Sequence, residues 1–244
     1  MRTVIAMGVA EFAAATLAVI IGSVVQVTSG VGGGFIIVPL LAWVDLGLVP
    51  APLIFASLSL SALMAFRERG AIDWAHIPTT LVGLIPGSLA GAYVLSSVPA
   101  DSLGVVFGTV ILLGILITAS GIEVRPTRVS ALVSGALSGA MGTSSGIGAP
   151  LLALLYQRET GPRIRATLAV LYTGASILIL VVLFGFDQFS VTEARSGFLL
   201  MPGFLLGYWV ANRFNVHLDR GATRIAVLCA SAAAAIALIL RSLF

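Results

Sequence analysis

The chain has 244 residues, of which 59% are hydrophobic and only 9% are charged, and its mean hydropathy is +1.11. Soluble proteins carry about 25% charged residues, so this composition excludes the soluble enzyme classes and indicates an integral membrane protein. The net charge of +3 comes from 13 arginines spread over short loops, without the clustered basic stripe of a nucleic-acid-binding protein. We therefore expect a lipid bilayer, and no nucleic acid, as the partner.

Ten apolar segments follow one another along the chain, separated by Gly, Pro or charged residues. They cover residues 4–26, 35–48, 50–66, 77–97, 101–121, 127–142, 147–157, 163–184, 194–212 and 220–241. Several are shorter than the roughly 20 helical residues that cross a bilayer. The pattern predicts an all-α, polytopic membrane protein with about 8–10 membrane segments and no soluble domain.

The chain matches itself at an offset of about 110 to 118 residues. The string P-G-S-L-A-G-A-Y-V from Pro86 shares P-G-x-x-x-G-x-x-V with the string P-G-F-L-L-G-Y-W-V from Pro202. Likewise, P-L-L from Pro39 matches P-L-L from Pro150. The match predicts two transmembrane repeats, residues 1–121 and residues 122–244, within one membrane domain.

Arginine positions predict how the two repeats are oriented, because short cytoplasmic loops accumulate Arg and Lys. If the first segment of each repeat crosses the membrane once, seven arginines lie inside and six outside. If that segment enters and returns to the same side, ten lie inside and only Arg2, Arg195 and Arg241 lie outside. The second arrangement predicts inverted repeats with both termini outside, as in many secondary transporters. The count leaves open whether each first segment is a re-entrant hairpin or two short crossings.

Each repeat opens with a segment that glycines interrupt. The first interruption reads Q-V-T-S-G-V-G-G-G from Gln26, and the second reads G-T-S-S-G-I-G-A-P from Gly142. Each glycine inside a helix costs about 1 kcal/mol relative to alanine, so both strings predict helix breaks. Broken backbone at membrane depth is tolerated only where it is buried in protein or lines a wet cavity. We therefore expect the two breaks to converge.

The breaks provide backbone amides, hydroxyls and a side-chain amide, which suit a small oxyanion at helix N-termini without any lysine. The candidate substrate-binding residues are Gln26, Thr28, Ser29, Gly30, Gly32, Gly33, Gly34, Thr143, Ser144, Ser145, Gly146 and Gly148. The alternative is that these small residues only allow close helix packing. We favour packing for the scattered pairs Gly87 with Gly91 and Gly203 with Gly207, and a ligand site for the two breaks.

The strings G-V-G-G-G-F-I-I-V-P-L-L from Gly30 and S-G-I-G-A-P-L-L from Ser145, with the duplicated layout, resemble the TauE/SafE sulfite exporter family over essentially the whole chain. The resemblance implies a transporter of sulfite or of organosulfur anions such as sulfoacetate. We expect a secondary transporter in the inner membrane that moves sulfite by alternating access. A passive anion channel, an organosulfonate transporter and a non-transporting membrane scaffold stay open as alternatives, and so does a homo-oligomer.

Glu11 is the one carboxylate that the pattern places well inside a span, about seven residues or roughly 10 Å from the helix start. It is a candidate for carrying a coupling proton, and the alternative is an interfacial side chain or a structural hydrogen bond. Tyr172 and Thr173 could line the pathway.

Other chemistry is not expected. G-x-S-x-G at residues 142–146, with Asp187 and His217 downstream, imitates a hydrolase triad, but a nucleophile elbow needs a strand that this chain does not offer. His76 and His217 have no second ligand at metal spacing, so we predict neither a metal nor a cofactor.

Overall fold

The computed structural model describes residues 7–157, 159, 161–214 and 220–243, and the regular elements in these ranges are all helical. The ten α-helices are α1 Val9–Ser29, α2 Gly33–Val44, α3 Ala51–Arg67, α4 Ile77–Ser97, α5 Leu103–Ala119, α6 Arg128–Ser145, α7 Ala149–Leu155, α8 Pro162–Gly185, α9 Val191–Arg213 and α10 Arg220–Leu243. Each corresponds to one predicted apolar segment, so the all-α prediction is confirmed.

Several of these helices are suited to cross a membrane. Five are long and apolar enough: Val9–Ser29, Ile77–Ser97, Ala100–Ala119, Pro162–Gly185 and Ile225–Ser242. Helices α2 and α3 are apolar but shorter. Large apolar side chains such as Val181, Phe184 and Phe198 are about two-thirds exposed, as expected for a surface that faces lipid. The chain is therefore a polytopic membrane protein.

Both predicted helix breaks are present. Helix α1 ends at Ser29 and α2 begins at Gly33, and the first turn, residues 30–32, has Gly30 at φ +81° and Gly32 at φ +98°. Helix α6 ends at Ser145 and α7 begins at Ala149, and the second turn, residues 146–148, has Gly146 at φ +81°. These left-handed conformations favour glycine, which carries no Cβ.

The helices that follow the turns are half-helices. Helix α2 has 12 residues and α7 has seven, so at 1.5 Å per residue they extend about 18 Å and about 10 Å. The hydrocarbon core of a bilayer is about 30 Å thick. Neither half-helix is long enough to cross this core, so each turn lies within the thickness of the protein and not at its surface.

Glycines bring the long helices into contact. A methyl group at Gly87 of α4 would lie 1.8 Å from the carbonyl oxygen of Ala136 on α6, and a methyl group at Gly207 of α9 would lie 2.5 Å from Ser23 Cβ on α1. Only glycine allows backbones to approach this closely. The predicted packing role of the scattered glycines is therefore confirmed at these positions.

The helix contacts form matching pairs. Helix α1 packs on α9 and α6 packs on α4, α2 packs on α10 and α7 packs on α5, and α3 and α8 pack on each other. If each helix of α1–α5 is replaced by its counterpart in α6–α10, and the reverse, every contact becomes the other contact of its pair, and the contact of α3 with α8 becomes itself. The inverted orientation of the two repeats and their boundary after residue 121 stay predictions.

Ion pairs join the connection between α3 and α4 to the start of α8. Arg165 donates to Glu68 Oε1 through Nε at 3.0 Å and through Nη2 at 2.8 Å, and Arg163 Nη2 lies 2.9 Å from Asp73 Oδ2. The Arg163 guanidinium, which donates to that carboxylate, holds the pKa of Asp73 below its ordinary value. The α3–α4 connection and the start of α8 therefore lie at the same end of the molecule.

Candidate functional site

The two breaks meet at a cavity of about 130 Å³, which we call the central cavity. Helices α3 and α8 complete its wall. The turns and their flanking helices contribute Gln26, Gly33, Gly34, Gly142, Gly146, Gly148 and Ala149 to the lining. The expected convergence of the breaks is thus observed, and five of the predicted binding residues, Gln26, Gly33, Gly34, Gly146 and Gly148, come together there.

The rest of the lining is apolar apart from a few hydroxyl groups. The polar residues are Ser57 and Ser61 on α3, Ser138 on α6, and Tyr172 and Ser176 on α8. The apolar residues are Ile37, Leu53, Ile54, Leu60, Met64, Leu152, Ala175, Ile179 and Phe204. A concave apolar pocket with a few directed polar groups is the usual form of a small-molecule site.

Gln26 closes the first turn. Its Nε2 donates to the Gly30 carbonyl oxygen at 3.2 Å, and its Oε1 accepts from the Gly33 amide at 3.1 Å. Ser138 acts in a similar way at the second turn, where its hydroxyl donates to the Gly148 carbonyl oxygen at 2.6 Å. Both side chains hold the broken backbone in place. The amide of Gly34, at the start of α2, has no acceptor among the described residues.

Two residues of α8 bring hydroxyl groups to the central cavity. The Tyr172 hydroxyl oxygen is buried and makes no hydrogen bond of good geometry with a described residue, and the Gln26 side chain is its polar neighbour. Ser176 lies one helical turn further along the same face. Tyr172 is one of the two residues that could line the pathway by sequence, whereas the sequence analysis does not identify Ser176. Thr173, the other residue that could line the pathway, donates to the Ala169 carbonyl oxygen at 2.8 Å and does not line the cavity.

Other predicted residues of the first break face a second cavity of about 460 Å³, which is bounded also by α5, α7 and α10. Thr28, Ser29 and Gly32 line this second cavity, and the hydroxyls of Thr28 and Ser29 donate to carbonyl oxygens of their own helix. Gly30 packs on Arg165 instead, since a methyl group there would lie 3.2 Å from Arg165 Cγ. The first turn therefore separates the two cavities.

The three predicted hydroxyls of the second break line neither cavity. Ser144 and Ser145 donate to the Met141 carbonyl oxygen at 3.3 Å and 2.8 Å. Thr143 is fully buried, and its Oγ1 has no partner among the described residues. A methyl group at Gly91 of α4 would lie 2.9 Å from Thr143 Cβ, so Thr143 faces the interface of α4 and α6.

Glu11 lies at the start of α1 rather than deep within a span. The helix begins at Val9, so Glu11 belongs to its first turn, where the carboxylate is exposed and Oε2 accepts from the Gly8 amide at 3.0 Å. The expected depth of about seven residues was wrong, because the helix starts later than the apolar pattern does. The observed contact matches the alternative of a structural hydrogen bond.

Some predicted positions cannot be placed. Arg2 and Arg158, which enter the arginine count, and His217 lie outside the described residues. Within the described ranges, no group of three or more His, Cys, Asp or Glu residues could hold a metal ion.

A family model described as sulfite exporter TauE/SafE matches residues 14–238. The chain belongs to the TauE/SafE family. A protein of Cupriavidus necator, described as a probable sulfite/organosulfonate exporter TauE, is 27% identical to this TauE/SafE chain in an alignment of 219 residues. The alignment covers 83% of this chain and 84% of that relative. No solved structure matches the chain. The predicted family is confirmed, and this TauE/SafE protein is a multi-pass membrane transporter rather than an enzyme.

Proposed function

We propose that this protein is a secondary transporter that moves a small sulfur oxyanion, in the first place sulfite, across the inner membrane by alternating access. The observation that carries the proposal is the central cavity, where two helix breaks of the two halves meet around an unpartnered Tyr172 hydroxyl. The name of the Cupriavidus necator relative supports sulfite and organosulfonates as the substrate class.

The anion would accept hydrogen bonds from polar groups of the residues that line the central cavity. These groups are the Tyr172 hydroxyl, which has no partner among the described residues, the Ser176 hydroxyl, and the Gly34 amide at the N-terminus of α2. Hydrogen bonds to a charged group contribute about 1.5 to 3 kcal/mol each, so three of them suffice for a specific site. Gln26 would position the first turn, and the backbone at Gly146 and Gly148 would form the opposite wall.

The first turn supports alternating access. Gly33 and Gly34, which follow the turn, line the central cavity, whereas Ser29 before the turn and Gly32 within it line the second cavity. Helices α1 and α2 are separate on either side of this turn, so a small movement of the turn would connect the two cavities. Thr28, Ser29 and Gly32 would then contact the anion on its way in or out, rather than in the central site.

Contacts at the two ends of the molecule support the inverted topology. Arg67 at the end of α3 donates to the Tyr208 hydroxyl on α9 at 3.2 Å, near the same end as the ion pairs between α8 and the α3–α4 connection. Arg241, near the end of α10, donates to the Trp43 carbonyl oxygen at 2.8 Å, next to the end of α2. This grouping agrees with the ten-to-three distribution of arginines.

Flux in proteoliposomes tests the proposal. Purified protein should take up labelled sulfite with saturation, and an internal load of unlabelled sulfite should accelerate that uptake by counterflow. Flux without saturation or counterflow would favour a passive anion channel. No flux above that of empty liposomes would favour a membrane scaffold. Competition by sulfoacetate separates an organosulfonate transporter from one that is restricted to sulfite.

A further inference from the structure

The lining of the central cavity carries information about the charge of its ligand. Each described residue of this lining is uncharged at neutral pH, and its polar groups are hydroxyls and amides. Arg165, which packs on Gly30 at the first turn, donates through both Nε and Nη2 to Glu68 Oε1, so its charge is already compensated. An anion in the central cavity would therefore be held by dipoles and not by an opposite charge.

Such a site favours an anion with a single charge. The free energy lost when an ion leaves water rises with the square of its charge, so a dianion loses about four times as much as a monoanion of the same size. The stabilisation that hydrogen bonds from neutral donors provide increases only about in proportion to the charge of the ion. Without a cationic side chain in the described lining, the balance moves strongly against dianions.

The size of the central cavity fits small monoanions of sulfur. The cavity volume of about 130 Å³ is well above the roughly 10–15 Å³ that one water molecule needs, so a small sulfur anion can enter it. Bisulfite has one sulfur and three oxygen atoms, and methanesulfonate adds one carbon atom. Both present three oxygens and one negative charge, whereas sulfite and sulfate carry two charges in the same volume.

We propose that the central cavity selects monoanions, so that bisulfite is the transported form of sulfite, and small organosulfonates share the site while sulfite and sulfate dianions are rejected. This inference rests on the proposed function. One consequence is that each bisulfite ion carries its proton across the membrane. Transport would then depend on pH without any titrating carboxylate, in agreement with the exposed position of Glu11 at the start of α1.

Binding of three probes to the purified protein tests the selection, measured by titration calorimetry on either side of neutral pH. Methanesulfonate is a permanent monoanion, sulfate is a permanent dianion in this range, and sulfite changes from one to two charges near neutrality. We expect methanesulfonate to bind equally well throughout and sulfate to bind at least about a hundredfold more weakly. The apparent affinity for total sulfite should fall about tenfold per pH unit on the alkaline side, because only the bisulfite fraction binds.

Methanesulfonate also controls for titration of the protein itself. Tyr172 is the titratable residue in the described lining, and a phenol is uncharged on either side of neutral pH. The Arg165 and Glu68 pair lies beyond the first turn, and any effect of it would change methanesulfonate binding as well. Sulfate binding within tenfold of methanesulfonate, or a sulfite affinity that is constant or rises with pH, would overturn the inference while leaving the proposed function intact. If none of the three anions binds, both are overturned.

A variant with an added charge provides a second measurement. Ser57 lines the central cavity, and its hydroxyl donates to the Ile54 carbonyl oxygen at 3.0 Å, so it is not a free donor. Ser57→Lys should raise the affinity for sulfate relative to methanesulfonate by at least about tenfold. Ser57→Met, with a side chain of similar length and no charge, should leave that ratio unchanged. Equal ratios in the two folded variants would contradict monoanion selection, and the wild-type measurements stand independently of both.

Discussion

The most direct test of the central cavity is the removal of one oxygen atom by the substitution Tyr172→Phe. The Tyr172 hydroxyl is buried, and it has no hydrogen-bond partner in the described part of the chain. A buried hydroxyl without a partner destabilises the fold by about 1 to 3 kcal/mol, so its presence needs a reason. We infer that the bound anion is that partner, and that the hydroxyl donates to it.

The expected loss follows from the strength of such a bond. A hydrogen bond to a charged acceptor contributes about 1.5 to 3 kcal/mol, which is about ten- to a hundredfold in affinity. Tyr172→Phe should therefore weaken anion binding by this factor, while thermal stability without anion stays equal or rises. Calorimetry with methanesulfonate and thermal unfolding in detergent measure the two quantities.

Tyr156 provides a matched control. Its hydroxyl is also buried without a partner among the described residues, and its side chain is 3% exposed. It packs with apolar residues such as Leu152, Leu168 and Leu171, and it lines neither cavity. Tyr156→Phe should leave anion affinity unchanged. Equal affinities in the wild type and in Tyr172→Phe, or equal losses in both variants, would refute the assignment of the Tyr172 hydroxyl to the anion.

Three further predictions concern stability and topology. Gly87→Ala, which places a methyl group 1.8 Å from a carbonyl oxygen, should lower the free energy of unfolding by at least about 1 to 3 kcal/mol, whereas Gly185→Ala, with nothing within 4 Å, should be neutral or stabilising in the same thermal assay. The lowered pKa of Asp73 contributes stability that is present above the ordinary pKa of 3.8 and is lost as the pH falls through the lowered pKa. Asp73→Asn should therefore destabilise the protein at neutral pH and reduce the loss of stability on acidification through that pH range. With the native cysteine removed, single cysteines at Ala71 and Thr192 should react with an impermeant maleimide from opposite faces of the membrane, and labelling from one face would contradict inverted repeats.

The helix breaks could be predicted from the sequence because glycine acts locally. Gly30 and Gly146 adopt left-handed conformations that other residues rarely take, so the position of each break depends on few neighbours. The duplicated apolar pattern indicates that the two breaks are equivalent. Broken backbone at membrane depth must be buried in protein or line a cavity, and two equivalent breaks can share one such place. These facts alone lead to convergence of the breaks at the central cavity.

The side chains of the site could not be predicted in the same way. A serine or threonine in a helix can donate to a carbonyl oxygen three or four residues earlier, and Ser144 and Ser145 do so. Residue type therefore did not reveal which hydroxyls are free. Tyr172 and Ser176 carry a signal, two polar residues four apart in an apolar helix, but only the packing of α8 on α3 and α4 decides that this face looks inward.

Glu11 decides whether the chain itself or its substrate carries the coupling proton. Its carboxylate is exposed in the first turn of α1, where it accepts from the Gly8 amide, and Glu193 has the same place in α9, where Oε2 accepts from the Ser190 amide at 2.9 Å. Both are helix caps, so a neutral glutamine can replace either with little change in the contact. We therefore expect Glu11→Gln and Glu193→Gln to transport sulfite with the same dependence on an imposed pH gradient as the wild type. Loss of that dependence in Glu11→Gln alone, with substrate binding intact, would assign the coupling proton to Glu11, because the matched cap at Glu193 excludes a general effect of losing a carboxylate.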